Sequence, residues 1–377
     1  MNAYRHQVGV QDAIVIGAGQ AGLAAGYYLQ RAGLRFSILD AGKVGESWTR
    51  RWDSLRLFTP ARYNSLPGKK FPRKPYDLPS KDEVAGYLRD YVARFELPVR
   101  EHASVASLKR QDGDFTVTLH SGEKLFARTV IVATGANQRP YTPALSGSIA
   151  PQVLQLHSNQ YRSPAQLPDG RVLVVGAGNS GAQIALELAD SGREVVLAGP
   201  EIRALPRRFL GRDLYDWLWH TLLRTTSDSA RGRHIMQARR FAADPLIGLS
   251  PKAFARPGLT RKGRVVSASY GMPVIDDGSA LFDLAAIVWC TGFRPDYSWI
   301  ELPIFGLDGY PKHHRGVATD VHGLGFVGMR YQYRIRSALL GGVGEDAAHV
   351  VSQISTHLHD SGFVTSTAHN QLIFSGD

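Results

Sequence analysis

The stretch Ala13-Ile-Val-Ile16-Gly17-Ala-Gly19-Gln20-Ala21-Gly22-Leu23 decides the fold. Four apolar residues predict a strand, the glycines a tight turn, and the Ala/Leu-rich residues 23–30 a helix. Gly17 permits the turn, Gly19 lets a pyrophosphate approach the backbone, and Gly22 lets the helix pack close to the strand. N–H groups at the helix start, with the helix dipole behind them, then face the phosphates; Gln20 and Ala21 belong to that first turn. A second strand, residues 36–39, ends at Asp40, 23 positions beyond Gly17. That is where the acceptor for a ribose hydroxyl belongs. The segment is read as a dinucleotide site.

The pattern recurs about 160 residues later. Residues 171–175 predict a strand, Gly176-Ala-Gly178-Asn179-Ser180-Gly181 a turn, residues 182–190 a helix, and residues 194–198 a second strand. Two units imply two dinucleotides. They differ where the second strand ends, because Ala198-Gly199-Pro200 stands in place of the acid. No carboxylate is there to hold a 2′-hydroxyl or repel a 2′-phosphate. Arg203, Arg207 and Arg208 follow, and guanidinium groups match phosphate oxygens. The second site is therefore expected to prefer NADPH, with Arg203 and Arg207 at the phosphate.

Working outward, 377 residues suit two domains, and 44% hydrophobic with 20% charged residues is the balance of a soluble globular protein. No apolar run approaches the ~20 residues needed to span a bilayer, and the N-terminus lacks the order of a signal peptide. A cytoplasmic location is expected. The single cysteine, Cys290, excludes an internal disulfide and a CxxC pair, and with them electron transfer through a dithiol. The net charge of +11 comes from 44 basic against 33 acidic residues. It matches no nucleic-acid-binding motif, so neither nucleic acid nor a membrane is expected as a partner. His313 and His314 are adjacent rather than spaced as ligands, so no metal site is expected and the pair reads as a solvated loop.

The fold class is α/β, with two Rossmann-like dinucleotide domains, the second inserted into the first. Residues 1–145 begin the first domain, with Pro- and Gly-rich loops over 59–79, a helix over 81–95, strands over 99–109, 114–120, 123–127 and 130–133, and then Thr134-Gly135. Residues 146–169 read as linker and domain crossing, and residues 170–290 as the second domain. That domain carries an atypical helical stretch, 213–240, without a strand signal. The apolar run 285–289 leads into Cys290-Thr291-Gly292, and residues 291–377 return to the first domain, with a helix over 345–359.

These motifs in this order resemble the class B flavoprotein monooxygenases, in particular the bacterial flavin-containing-monooxygenase-like group. The resemblance covers nearly the whole chain. It rests on the two glycine motifs, Gly45-Glu-Ser-Trp48 with Arg51-Trp52, Ala133-Thr134-Gly135, Trp289-Cys-Thr291-Gly292-Phe293, Gly325-Phe-Val-Gly328-Met, and Gly344-Glu-Asp-Ala347. It implies FAD in the first domain and NADPH in the second. Hydride passes from NADPH to the flavin, O2 then forms a C4a-(hydro)peroxide, and bound NADP+ shelters that adduct from water. Trp48, Arg51 and Trp52 are candidates for the flavin's surroundings, and Thr134-Gly135 and Thr291-Gly292 for cofactor contacts.

The family's fingerprint FxGxxxHxxxY is half kept. In Pro151-Gln-Val153-Leu-Gln-Leu-His157-Ser-Asn-Gln-Tyr161 the His and Tyr stand at the right separation, but Pro151 and Val153 replace the Phe and Gly. A Baeyer–Villiger enzyme would have Trp at position 161, so Tyr161 leans toward oxygenation of a small nucleophilic nitrogen or sulfur compound. His157 and Tyr161 are the candidate catalytic residues, with an interdomain hydrogen-bonding role expected for His157. Asn64 and Gln332 are further candidates near the reacting flavin. Two alternatives stand: an NAD(P)H-dependent flavin reductase passing electrons to a quinone or other acceptor, and Baeyer–Villiger oxygenation of a ketone. A reductase of the ferredoxin-reductase type places an acid just after the second motif, where this chain has Gly181-Ala-Gln-Ile184 and reaches its first acid at Glu187. A regulatory flavoprotein that binds both nucleotides without turnover is a third reading, from another class. The sequence leaves the substrate and oligomeric state open.

Overall fold

In the computed structural model, which describes residues 9–239 and 243–363, the chain folds around two sheets. Their strands, in chain order, begin with β1 (Gln11–Ile16), β2 (Phe36–Leu39), β3 (Val99–Arg100), β4 (Val105–Gln111), β5 (Asp114–Leu119) and β6 (Lys124–Val132). There follow β7 (Leu154–His157), β8 (Arg171–Val175), β9 (Val195–Ala198), β10 (Leu259–Lys262) and β11 (Leu284–Trp289). The last are β12 (His313–His314), β13 (Val317–Ala318) and β14 (Leu324–Phe326). The nine-stranded sheet runs β12-β13-β14-β6-β1-β2-β3, with β4 and β5 added antiparallel beside β6. The five-stranded sheet runs β10-β9-β8-β11-β7 and is parallel throughout. Strands buried on both faces explain why residues 13–16 and 172–175 read as unbroken apolar runs.

The helices that position the sites are α1 (Gln20–Arg31), α2 (Lys81–Phe95), α3 (Asn179–Asp190), α4 (Leu214–Leu218), α5 (Ala230–Arg239) and α6 (Val343–Asp360). Helix α1 can lie close on its sheet because its inner face is small; a Cβ at Gly26 would fall 2.6 Å from Ile38 Cδ1. With α2 and α6 it buries one core on one face of the first sheet. A second core, including Leu108, Phe115, Val130 and Phe326, lies on the other face. Helix α2 starts at a capping box, in which Ser80 Oγ accepts from Glu83 N and Ser80 N donates to Glu83 Oε2. In α6 the acids Glu345 and Asp346 stand in the first turn and His357 and His359 in the last, the arrangement the helix dipole favours.

Several sequence expectations are corrected. The strand expected over 99–109 is two, interrupted around His102, whose φ is 55°. The two expected over 123–133 are one, because its polar residues are satisfied sideways. Arg128 pairs with Asp114 at 2.7 Å, and Thr129 Oγ1 donates to Asp12 O at 2.6 Å. The expected helical stretch 213–240 is broken into α4, a 3-10 turn (Leu222–Arg224) and α5, and Asp213 closes a strand pair, Arg208–Phe209 with Arg212–Asp213. Arg240 lies outside the described residues. The segment read as a crossing, 146–169, supplies β7, the edge strand of the second sheet. His313 and His314 form an edge strand rather than a loop, and among the described residues no group of His, Cys, Asp or Glu could hold a metal ion. Among the described residues no helix is long and apolar enough to cross a membrane.

Candidate functional site

The two glycine motifs fold alike. Gly17 N donates to Leu39 O and Gly176 N to Ala198 O, each at 2.7 Å. Ala133 N donates to Ile16 O at 2.8 Å, and Cys290 N to Val175 O at 2.7 Å. Each motif therefore has a Thr-Gly pair, Thr134-Gly135 or Thr291-Gly292, emerging from the neighbouring strand beside it. The glycines divide by role. A Cβ at Gly22 would lie 1.8 Å from Gly17 O, and one at Gly181 1.7 Å from Gly176 O, so these two hold helix against turn. Among the described residues a Cβ at Gly19 would meet nothing within 4 Å, and one at Gly178 would meet Ala243 Cβ at 3.5 Å. Gly19 and Gly178 are also the N-caps of α1 and α3, and neither helix start carries a side-chain cap. An open face, a helix dipole and amide groups without a side-chain cap fit a pyrophosphate at each turn. Gln20, Ala21, Asn179 and Ser180 form those first helical turns.

The cradles differ at one position. Asp40 Oδ2 accepts from Ala18 N at 2.7 Å and Oδ1 from Gly42 N at 2.9 Å, which fixes the carboxylate beside the first turn. Its counterpart after β9 is Gly199, where a Cβ would fall 2.8 Å from Ala177 N. The second site lacks the acid, and the close backbone leaves little room for one. Beyond Gly199 lies a pocket of about 410 Å³ lined by Glu201, Ile202, Arg203, Ala204, Leu246, Pro251, Phe254 and Arg261. Arg203 is one of the lining residues. Arg207 is not among the lining residues: its Nε pairs with the buried Asp213 at 2.7 Å, and its Nη1 donates to Phe58 O at 2.6 Å. The buried Asp213 carboxylate and Phe58 O together claim the Arg207 guanidinium for an interdomain contact. Arg261 was missed. It sits on β10, which pairs with β9, and only that strand pairing brings it to the pocket.

Between the sheets the chain crosses twice, and the crossings pair as an antiparallel ribbon, Arg139–Pro140 with Phe293–Arg294. Gln138, also missed, ties its ends. Its Nε2 donates to Thr134 Oγ1 and Gly135 O, each at 2.8 Å, and its Oε1 accepts from Asp296 N at 2.6 Å. Thr291 Oγ1 donates to Tyr141 O. His157, at the end of β7, is buried against this ribbon, with Nε2 2.9 Å from Gly292 O and its ring edge-on to Phe293. Burial lowers its pKa, Nε2 donates to Gly292 O, and Nδ1 lies 3.0 Å from Asn159 Oδ1 and 3.3 Å from Asn159 N. Arg51 lies over the same Phe293 ring, its guanidinium 5.0 Å from the centroid, and burial lowers its pKa too.

The other candidates fall in distinct places. Tyr161 is fully buried and donates to Glu187 Oε2 at 2.9 Å, so its hydroxyl is spent inside the second domain. Asn64 is fully buried and spends its amide locally. Its Nδ2 donates to Thr59 O at 2.9 Å and Pro60 O at 3.1 Å, and its Oδ1 accepts from Thr59 Oγ1 at 2.7 Å. Gln332 is turned inward; its Oε1 accepts from Met329 N at 3.4 Å, and its Nε2, beside Gly316, is buried without a partner among the described residues. Trp48 packs on the first domain's core, whereas Trp52 enters the core of the second, where its Nε1 has no partner among the described residues. The segment between them is an interdomain strut rather than one flat wall.

The insertion containing α4 covers the junction. Tyr63, Tyr215 and Trp219 form a small core of their own, and Asp216 accepts from Tyr63 and Tyr76 hydroxyls at 2.5 and 3.0 Å. On its other side Ser227 N donates to Tyr333 O at 2.8 Å, and Arg336 Nη1 donates to Trp219 O at 3.1 Å. The insertion thus belongs to the second domain by sequence but rests on two segments of the first.

A family model described as pyridine nucleotide-disulphide oxidoreductase matches residues 14–206. An oxidoreductase named CzcO-like from Geobacillus kaustophilus is 41% identical to this chain, over 92% of it and 99% of the relative. Indole-3-pyruvate monooxygenase YUCCA1 of Oryza sativa is 34% identical over 55% of this chain and 52% of its own. Among solved structures, a flavin-containing monooxygenase from Stenotrophomonas maltophilia is similar over 92% of this chain and 99% of its own, at 29% identity and a TM-score of 0.74.

Proposed function

Because this chain belongs to the pyridine nucleotide-disulphide oxidoreductase family and is a flavin-dependent oxidoreductase similar to class B monooxygenases, we propose that it binds FAD and NADPH and transfers one atom of O2 to a small nucleophilic nitrogen or sulfur compound. The observation that carries this reading is the pair of matching cradles with open central glycines, one with a fixed carboxylate and the other without. FAD, when bound, supplies hydride acceptance from the nicotinamide and activation of O2.

The chain's own residues bind, orient and exclude water. Gly19 and the start of α1 face the FAD pyrophosphate, and Asp40 faces the adjoining ribose. Gly178 and the start of α3 do the same for NADPH, while Arg203 and Arg261 hold its 2′-phosphate. His157, through Gly292 O, fixes the crossing ribbon and with it the approach of the two cofactors. Misplacement by an ångström is costly in such a geometry. Tyr161 locks Glu187 and acts as a positioning residue, not as an acid. The aromatic core under the insertion keeps water from the junction, an exclusion that O2 chemistry on bound FAD would require. The domain division this reading uses runs close to residues 145 and 290, where the ribbon lies.

Turnover under isotope-labelled O2, driven by NADPH with a small thioether or tertiary amine, tests the proposal. Label in the product supports it. NADPH consumption with anaerobic quinone reduction and no labelled product overturns it in favour of a reductase. Label in an ester made from a ketone overturns the substrate class.

A further inference from the structure

We propose that the tip of the strand pair Arg208–Phe209 and Arg212–Asp213 is a membrane-interface anchor that seats on anionic lipid. The turn itself is unusual in chemistry. Leu210 and Gly211 both have positive φ, 48° and 76°, the two-residue hairpin geometry in which Asn-Gly is the favoured pair. A leucine there is strained by roughly 1 kcal/mol, and it is also 75% exposed, so neither backbone nor solvent argues for it. Phe209 beside it is 51% exposed and Trp217 39%, and the two rings meet edge to face. Trp217 Nε1 donates to Phe209 O at 3.2 Å, which makes the three apolar side chains one rigid projection.

The charges around the tip are sorted. Both acids of the segment 206–224 are turned inward: Asp213 is buried on Arg207, and Asp216 is held by Tyr63, Tyr76 and Arg62. Arg208, Arg212, His220 and Arg224 are left exposed, with Arg212 lying over the Trp217 ring. An apolar tip flanked by Arg208 and Arg212, on a protein of net charge +11, is complementary to an anionic bilayer surface. The tip is convex, so a fluid interface accommodates it where a folded partner would need a matching pocket. A two-fold contact with a second copy through this tip would set the patch bearing Arg208 and Arg212 against the same basic patch.

Co-sedimentation of the intact protein with vesicles of phosphatidylcholine alone or mixed with phosphatidylglycerol tests this. The expected result is binding to the anionic vesicles that weakens with salt, little binding to the neutral ones, and a loss of roughly tenfold or more in Leu210→Asn with Phe209→Ser. Arg208→Ser should cost roughly fivefold. Leu210→Asn suits the turn, and an unchanged thermal melt of the double variant separates lost binding from misfolding. No binding to anionic vesicles at low salt, or equal binding by the variants, overturns the anchor. So does a native dimer that Leu210→Asn converts to monomer, which would make the tip an interface between copies.

Discussion

The Tyr63 hydroxyl donates to the Asp216 carboxylate at 2.5 Å across 153 residues of sequence, and this bond clasps the second domain's insertion to the first domain. Tyr76 and Arg62 reach the same carboxylate, and burial together with Asp216 raises the Tyr63 pKa, so the phenol stays a donor at any working pH. Asp216→Asn should loosen the clasp by about 1 kcal/mol. Limited proteolysis within 206–247 should then run roughly fivefold faster, by local opening, while the global melt moves little. An unchanged cleavage rate would show that the aromatic core alone holds the insertion.

The two kinds of glycine should respond differently. Gly22→Ala forces a Cβ to 1.8 Å from Gly17 O, so helix and turn must part, and the protein should lose several degrees of Tm together with its FAD. Gly19→Ala has open space for the methyl group and should melt near the parent temperature while retaining less FAD. Flavin absorbance per mole of protein, read beside a thermal melt, separates the two. Equal loss of stability in both would contradict the assignment of Gly19 to the ligand face.

Cofactor choice is expected to follow Arg203 and Arg261 rather than Arg207. Arg203→Ala and Arg261→Ala should each raise KM for NADPH roughly tenfold and leave KM for NADH nearly unchanged, as loss of a charge-assisted phosphate contact does. Arg207→Ala strands the buried Asp213 carboxylate and should lower stability by roughly 3 kcal/mol without discriminating between the two cofactors. Steady-state kinetics with both nucleotides decide it, and an NADPH-selective defect in Arg207→Ala would restore the simpler sequence reading.

His157→Ala frees Gly292 O and the crossing ribbon, so hydrogen peroxide released per NADPH consumed should rise. The same residue sets a pH dependence. Its folded pKa lies below the unfolded value, so its contribution to stability is present above about pH 6.5 and is lost as acid protonates the unfolded chain first. The pH 7-to-5 fall in Tm should be shallower in His157→Gln than in the parent. His349 and His357, whose pKa values burial also lowers, should retain part of the slope.

Local chemistry was legible in the residues. Gly17 and Gly176 announced their turns, and Asp40 its place beside one of them. What spacing could not convey was which long side chains meet. Arg207 was read with Arg203 because they are neighbours in sequence, yet Asp213 and Phe58 O draw it to the domain junction. Tyr161 and Asn64 were read for their polar groups, and both spend those groups inside the protein.

The amino-acid sequence by itself determined that two strand–turn–helix units exist, that only the first ends in an acid, and that no dithiol is available. Those properties depend on residues within one turn or one strand, where backbone sterics leave few alternatives. Only the tertiary structure decided that β7 leaves the crossing to edge the second sheet, that Arg261 joins Arg203, that Gln138 and His157 tie the ribbon, and that the insertion presents an apolar tip. Each of these depends on which distant groups compete for a buried charge, an open carbonyl or a place out of water, and that competition is settled by packing.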